Sequence, residues 1–592
     1  MAFGEPVRGW WASHCKWCSF RLHVWLLVWL AVMITRTMTL SPKQTSRRGA
    51  DHLVDALQTA GVSQLFTLSG NQVMSVFDAT IGSRIELIHV RHESAAVHMA
   101  DAYGRLTGEA GIALVTAGPG FTNTLTGTYV AAMAESPLVV LSGCSPVSRD
   151  GQGAFQEMSQ AEMAGQVAKA AWRATNSADL GHDLSRAIRL ARSGRPGPVH
   201  ITLPGDVLSE RVEASAAGSP VVDDFHPVVS LLDRDIAGRI MELLSESSRP
   251  MLLAGPALVR GQGPAVLEQF EQATGVPALA MGSPRGINDP GLGAFAEPLS
   301  EADLLVLIGR KPDVGLKFLE SPFVSPDCRV VLIDPEASVL EQFGNQLESA
   351  GRLIVAELAD SVPAIERLAM LCDEPRVDLS GWFDEVKQAI GHRPAEWSTL
   401  DVESGAGLHP VQVALAVNEV LSAYSEHSET VFISDGGEFG QWTQAVVDST
   451  HRLINGPSGS IGSGVPFAVA ARVACPEATV IATVGDGTFG FHAMELETAI
   501  RNDLPMVIVV GNDACWNAEY QIQLDEYGAD RLVGCELADT RYDELCRSMG
   551  GWGERVERAD ELPGALRRAI DSGQPAVIDV RIDRVKAPIV RR

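Results

Sequence analysis

Nine cysteines are scattered through 592 residues, too few and too widely spaced for a disulfide scaffold. Cys15 and Cys18 form the single CxxC, and no second cysteine or histidine pair lies nearby to complete a zinc site. Positive charge is also short: 47 basic against 74 acidic side chains leave a net charge of -27, which repels nucleic acid and anionic membrane surfaces. Long apolar runs are missing as well. The stretch VWLLVWLAVMI at 24–34 has 11 residues, short of the ~20 that a bilayer span needs. It belongs to a segment, 1–44, whose composition differs from the rest and which reads as an N-terminal arm. A signal-like or interfacial role for 24–34 stays open. The remainder reads as a cytoplasmic metabolic protein with small-molecule partners and no nucleic acid.

What the chain does contain is a long alternation of short apolar runs and helical stretches. QLFTLSG, IELIHV, GIALVTAG and PLVVLSG are separated by helix-like segments, and the same rhythm returns in RPMLLAGPALV, ADLLVLIGRKPDVG and CRVVLIDPEAS, then in TVFISDGGEFGQW, TVIATVGDG and PMVIVVGND. Strands alternating with helices predict parallel sheets covered on both faces. At ~100 to 200 residues per domain the length requires several cores. Linkers rich in small residues, Pro and Asp predict three doubly wound α/β parallel-sheet domains, at 45–210, 230–372 and 400–585.

Two acidic turns stand out in the third block. The strand TVIATV runs into Gly485-Asp486-Gly487 and a helix, and the next strand, PMVIVV, ends at Gly511-Asn512-Asp513. Glycines allow close backbone approach, and free N–H groups at a helix start favour a phosphate. A carboxylate beside a phosphate makes sense if a hard cation such as Mg2+ lies between them. Both turns fall at carboxyl ends of parallel strands, where open α/β sheets bind ligands.

These residues resemble the diphosphate-binding signature of thiamine diphosphate enzymes, Gly-Asp-Gly followed one helix and one strand later by Asn-Asn, here with Asp513 in the second Asn position. The resemblance spans roughly 45–585 and implies a pyrimidine-binding, a central and a diphosphate-binding domain. It implies thiamine diphosphate and Mg2+ as cofactors, with the metal on Asp486, Asp513 and the carbonyl of Cys515. Gly437, Glu438, Phe439, Gly485, Gly487, Thr488 and Asn512 fall at diphosphate-binding positions, and Ile461 at the residue that bends the cofactor. Glu93, in IELIHVRHESAAVHMADAYGRLTG, matches the catalytic glutamate that hydrogen-bonds the cofactor's N1′ and so promotes deprotonation at C2. The family's cofactor lies between two chains, which implies a homodimer or homotetramer.

Within that family the chain is most similar to acetolactate synthases, which join two pyruvates with loss of CO2 in branched-chain amino acid biosynthesis. GAFQEM and QVAKAAW resemble acetolactate synthase positions, which implies that Phe155 and Gln156 line the substrate channel from the neighbouring subunit, with Lys169 nearby. Glu519, six residues past Asp513, stands where pyruvate decarboxylases carry a proton-delivering acid. The central-domain stretches INDPGLGAFAEPLS and IGRKPDVGLKF keep Arg310 but lack the family's flanking pattern for FAD. The Gly-Asn-Asp-Ala turn is similar to that of the 2-hydroxyacyl-CoA lyase branch. A thioester lyase, an oxalyl-CoA decarboxylase-type enzyme, a flavin-dependent oxidase and a non-catalytic regulatory paralogue therefore remain as alternatives.

Overall fold

Parallel strands buried on both faces have no polar side to show, and LLVLI at 304–308 is wholly inaccessible in the computed structural model of the chain. The structure describes residues 46–213, 218–372, 377–400 and 407–592. The N-terminal arm, with its CxxC and apolar run, lies outside them. Three parallel sheets follow one another along the chain. The first holds β1 (Gln64–Thr67), β2 (Glu86–His89), β3 (Gly111–Val115), β4 (Leu138–Cys144), β5 (Ala170–Arg173) and β6 (Pro198–Pro204). The second holds β7 (Pro250–Ala254), β8 (Ala278–Ala280), β9 (Leu304–Ile308), β10 (Arg329–Asp334) and β11 (Leu353–Leu358). The third holds β12 (Thr430–Asp435), β13 (His451–Ile454), β14 (Thr479–Gly485), β15 (Val507–Asn512), β16 (Trp552–Val556) and β17 (Ala576–Arg581).

The first and third sheets share one topology. Their orders, β2-β1-β3-β4-β6-β5 and β13-β12-β14-β15-β17-β16, both put the first strand second from the edge and cross back between the fourth and fifth. The second sheet, β8-β7-β9-β10-β11, begins the same way. Equivalent helices follow the second strand of each outer sheet: α1 (Glu93–Thr107) in the first and a helix over Gly464–Ala474 in the third. α1 starts where the His92 ring accepts the Ser94 N–H and stops at Gly108, whose φ of 74° is left-handed and suits glycine.

These two helices pack together, and small residues permit it. Ala95, Ala96, Met99 and Ala100 share one core with Phe467, Ala468 and Ala471. At the far end Arg105 donates to the Ile454 carbonyl (2.8 Å) and lies 5.0 Å from the Phe467 ring centre. The central unit is held to the first by Arg195, buried between Glu135 and Asp334 and donating to the Gly309 carbonyl at 3.0 Å. Such an ion triad fixes orientation more than it adds stability.

Candidate active site

Adjacent strands β14 and β15 pair in register, with Gly485 opposite Gly511, so the residues that follow leave the sheet side by side. A cleft of about 370 Å3 lies at the carboxyl ends of these strands. Asp486 and Asp513 both line it. Asp486 is buried and opens the short helix α4 (Asp486–His492), which follows α2 (Glu438–Val446) and α3 (Gly464–Ala474) in the chain. Its Oδ1 accepts the Gly487 N–H (2.8 Å), while Oδ2 has no partner among the described residues. Burial raises the Asp486 carboxyl to about 6. Burial and the Asp486 charge raise Asp513 to about 8, against the pull of Arg584.

The surrounding backbone leaves space where side chains would close it. Gly436 has φ of 122°, and a Cβ there would meet Thr488 Oγ1 at 3.1 Å and the Gly485 nitrogen at 3.2 Å. A Cβ on Gly487 would reach the Trp516 ring at 2.6 Å. Gly437, Glu438, Phe439, Ile461, Gly485, Thr488, Cys515 and Glu519 are among the other residues of this unit that line it. Burial pushes the Cys515 thiol up to about 12, which leaves its carbonyl as the hard donor. Glu519 is exposed in the first turn of α5 (Asn517–Tyr527). Glu438 accepts from the Ala587 N–H, and its carboxyl is raised first by burial and further by Glu519.

Two positions expected at the site are placed elsewhere. Asn512 is fully buried and its amide donates to the Thr540 carbonyl and to Asp579 Oδ1, each at 3.0 Å, so its side chain faces into the sheet. Side chains alternate along a strand, and Asn512 and Asp513 cannot both face the cleft. Lys169 sits at the amino end of β5, level with Pro198, where its ammonium donates to the carbonyls of Ser193 and Arg195. Gln156 lies beyond the carboxyl end of β3, against Gly118. The two are therefore at opposite ends of the sheet.

Glu93 and Gln156 instead share an edge of the first unit. Glu93 Oε2 accepts from Asn123 Nδ2 (3.0 Å), and a Cβ on Gly120 would touch both Thr116 and Glu93 Oε1. Thr116 donates to Gln72 (2.6 Å), which donates to Gln156 Oε1 (2.9 Å). Gln156 holds φ of 59°, an uncommon backbone state for a residue with a Cβ. Neither residue lines the Asp486 cleft.

Three contributors were missed by sequence reasoning. Asp435, at the end of β12, is completely buried, and its Oδ2 accepts from Gly462 N (2.9 Å), Gly464 N (2.6 Å) and Ser463 Oγ (3.3 Å), pinning the loop that presents Ile461. Its signal was present, since Ser-Asp-Gly-Gly follows an apolar run just as Gly-Asp-Gly does. His492 joins the Gly462 carbonyl (2.6 Å) to Ser94 Oγ (2.7 Å), next to Glu93. Arg285 enters the cleft from the central unit, and no local pattern marks it.

Glycine turns, paired carboxylates and a helix start at the carboxyl ends of a doubly wound sheet define an α/β protein whose cleft suits a phosphate-bearing ligand. Comparison with known proteins narrows this. Residues 47–163 match the N-terminal TPP binding domain of thiamine pyrophosphate enzymes and residues 435–580 the C-terminal TPP binding domain. The chain is 32% identical over 553 residues to the acetolactate synthase large subunit IlvG of Mycobacterium tuberculosis, covering 92% of this chain and 97% of that one. It is 28% identical to a catabolic acetolactate synthase of Raoultella terrigena (92% and 96% covered) and 27% identical to 2-hydroxyacyl-CoA lyase 2 of Homo sapiens (92% and 91%). The chain belongs to the thiamine pyrophosphate enzyme family and is a thiamine diphosphate-dependent enzyme.

Proposed function

We propose that the cleft takes thiamine diphosphate through a divalent cation, Mg2+, and that the enzyme decarboxylates a 2-oxo acid and joins the remainder to a second carbonyl compound, giving acetolactate when both are pyruvate. The reading rests on one observation: Asp486 and Asp513 face one cleft, with a buried carboxylate oxygen that has no partner among the described residues. Two like charges held together in a buried place suit a cation. Asp486, Asp513 and the Cys515 carbonyl would hold it. The turns at Gly437–Phe439 and Gly485–Thr488 would hold the diphosphate, and Ile461 would set the bend of the cofactor. In domain terms, 45–210 would bind the pyrimidine, 230–372 would form the central domain and 400–585 would bind the diphosphate.

When bound, thiamine diphosphate supplies a nucleophilic carbon and an electron sink. The chain's own residues would orient the reactants and handle protons. Glu93 would hold the proton at the pyrimidine N1′. Because Glu93 does not line its own chain's cleft, a second copy would supply it, which is the ground for a homodimer or homotetramer. Gln156, on the same edge, would then meet the substrate. Glu519, which lines the cleft, would deliver a proton to the substrate oxygen, and Arg285, the one cation among the described residues of the cleft lining, would pair with the substrate's carboxylate. Trp516 would exclude water from the reacting face.

Incubation with pyruvate, thiamine diphosphate and Mg2+ should release CO2 and acetolactate, and an enzyme that shows neither under saturating cofactor refutes the synthase reading. One observation favours a second reading. Asp513 stands in a Gly-Asn-Asp-Ala turn, and some relatives are named 2-hydroxyacyl-CoA lyase 2. A 2-hydroxyacyl-CoA or oxalyl-CoA lyase would put the thioester's phosphates at the cleft mouth near Arg285. Cleavage of a 2-hydroxyacyl-CoA, competed by adenine nucleotides, distinguishes the two.

A further inference from the structure

At the opposite end of the third sheet, the amino end, three side chains of different elements converge. Glu429 precedes β12, His451 opens β13 and Cys475 closes α3. One ligand atom from each, a carboxylate oxygen, a ring nitrogen and Sγ, lies within 4.8 Å of the other two. His451 Nε2 and Glu429 Oε2 are 3.5 Å apart. None of the three lines the thiamine cleft.

We propose that Glu429, His451 and Cys475 form a three-ligand site for a divalent ion of the zinc class, with a fourth position open to water. Sulfur, imidazole and carboxylate together select a borderline-soft ion over Mg2+ or Ca2+, which prefer oxygen alone. Tetrahedral zinc with bonds of about 2.0 to 2.3 Å sets its ligand atoms roughly 3.3 to 3.8 Å apart. The His451–Glu429 pair already meets that spacing, and the Cys475 sulfur lies within 4.8 Å of both. The backbones beneath are fixed. The Glu429 carbonyl accepts the Thr479 N–H (2.9 Å), Cys475 N donates to the Ala471 carbonyl (2.8 Å), and the Cys475 carbonyl accepts the Ala478 N–H (3.1 Å). His451 is paired in the β12–β13 ladder opposite Val431. Only side-chain freedom is lost on binding, which keeps the cost low.

Binding exchanges the thiol proton for the ion: Cys475–SH and M2+ give the Cys475 thiolate complex of M2+ and a released H+. Without an ion, burial and the Glu429 charge hold the thiol above its ordinary range, and a cation between them reverses both effects. Occupancy would tie the starts of β12 and β13 to the end of α3. The other end of α3 carries Gly464, which Asp435 grips beside the cleft. The ion would act as a clasp on the sheet that carries the thiamine site, without entering it.

Co2+ titration of the full chain tests this, after chelator treatment and with saturating thiamine diphosphate and Mg2+ occupying the cleft. We expect a thiolate-to-cobalt charge-transfer band that saturates at one equivalent per chain and is displaced by Zn2+. Cys475→Ser should abolish the band, and His451→Gln should weaken the apparent Kd at least tenfold; the second variant, at a half-exposed strand end, carries the test if the first unfolds. Absence of a band in the wild-type protein overturns the site. So does an undiminished band in the two variants, which assigns it to other cysteines.

Discussion

Replacing Asp435 separates what its charge costs from what its hydrogen bonds hold. Burial lifts its carboxyl from an ordinary 3.8 to about 6 in spite of the donors from Gly462, Ser463 and Gly464. At about 1.4 kcal/mol per pKa unit, keeping it ionised at neutral pH costs the fold on the order of 3 kcal/mol. The sign follows from the raised value: the contribution is favourable below pH 3.8 and is lost as pH rises through about 6. Asp435→Asn keeps the shape and one acceptor while removing the charge, so its denaturation midpoint should gain on the wild-type protein as pH rises from 4 to 7. Asp435→Ala also sheds the charge but strands the N–H groups of Gly462 and Gly464, at about 1 to 3 kcal/mol each. The two effects nearly cancel in stability, yet the loop carrying Ile461 loses its anchor. Urea denaturation across pH, together with thiamine diphosphate affinity, reads both consequences. We expect Asn to flatten the pH slope with near-normal affinity, and Ala to bind the cofactor at least tenfold more weakly. Equal pH slopes for wild type and Asn refute the reasoning.

Further outcomes can be checked individually. Glu93→Gln should lower turnover by about 10²- to 10⁴-fold, the usual worth of a positioned acid or base, while thermal stabilisation by Mg2+ and thiamine diphosphate persists; normal turnover removes Glu93 from the chemistry. Asp486→Ala should abolish that thermal stabilisation, and a retained shift would count against the cation site. Gly487→Ala drives a methyl group into the Trp516 ring, which should raise the thiamine diphosphate concentration needed for half-maximal activity at least fivefold, with little change in fold by circular dichroism. His98 is buried and its ring is held down to about 3, so the unfolded chain takes up a proton below pH 6.5 that the folded chain refuses. Stability therefore falls with pH below 6.5, by about 2 kcal/mol at pH 5 from this residue, and His98→Leu should show a shallower loss in acid denaturation.

Much of the site was legible because it is local. Gly485-Asp486-Gly487, Asp513 and Glu438 sit where a strand stops and a helix starts, and apolar runs with glycine breaks announce such places in a single chain. The alternation of runs likewise predicted parallel sheets without any knowledge of their order. Lys169 and Gln156 were read together from a resemblance, which gives position along the chain and not direction in space, and the structure sets them at opposite ends of the sheet. The Asn512 side chain is turned from the cleft that Asp513 lines by the two-residue alternation of a strand end.

By itself the sequence determined the class of elements, the two acidic turns and the family, since each depends on residue type at short spacing. The tertiary structure alone decided that Asp486 and Asp513 line one cleft, because that follows from Gly485 pairing with Gly511 across two strands. It alone revealed that the first and third sheets repeat one strand order, a likeness of path that side-chain identity does not record. It also brought Arg285, His492 and the trio Glu429, His451 and Cys475 to their neighbours. Contacts between residues far apart in the chain are fixed by packing, and no short window of sequence contains them.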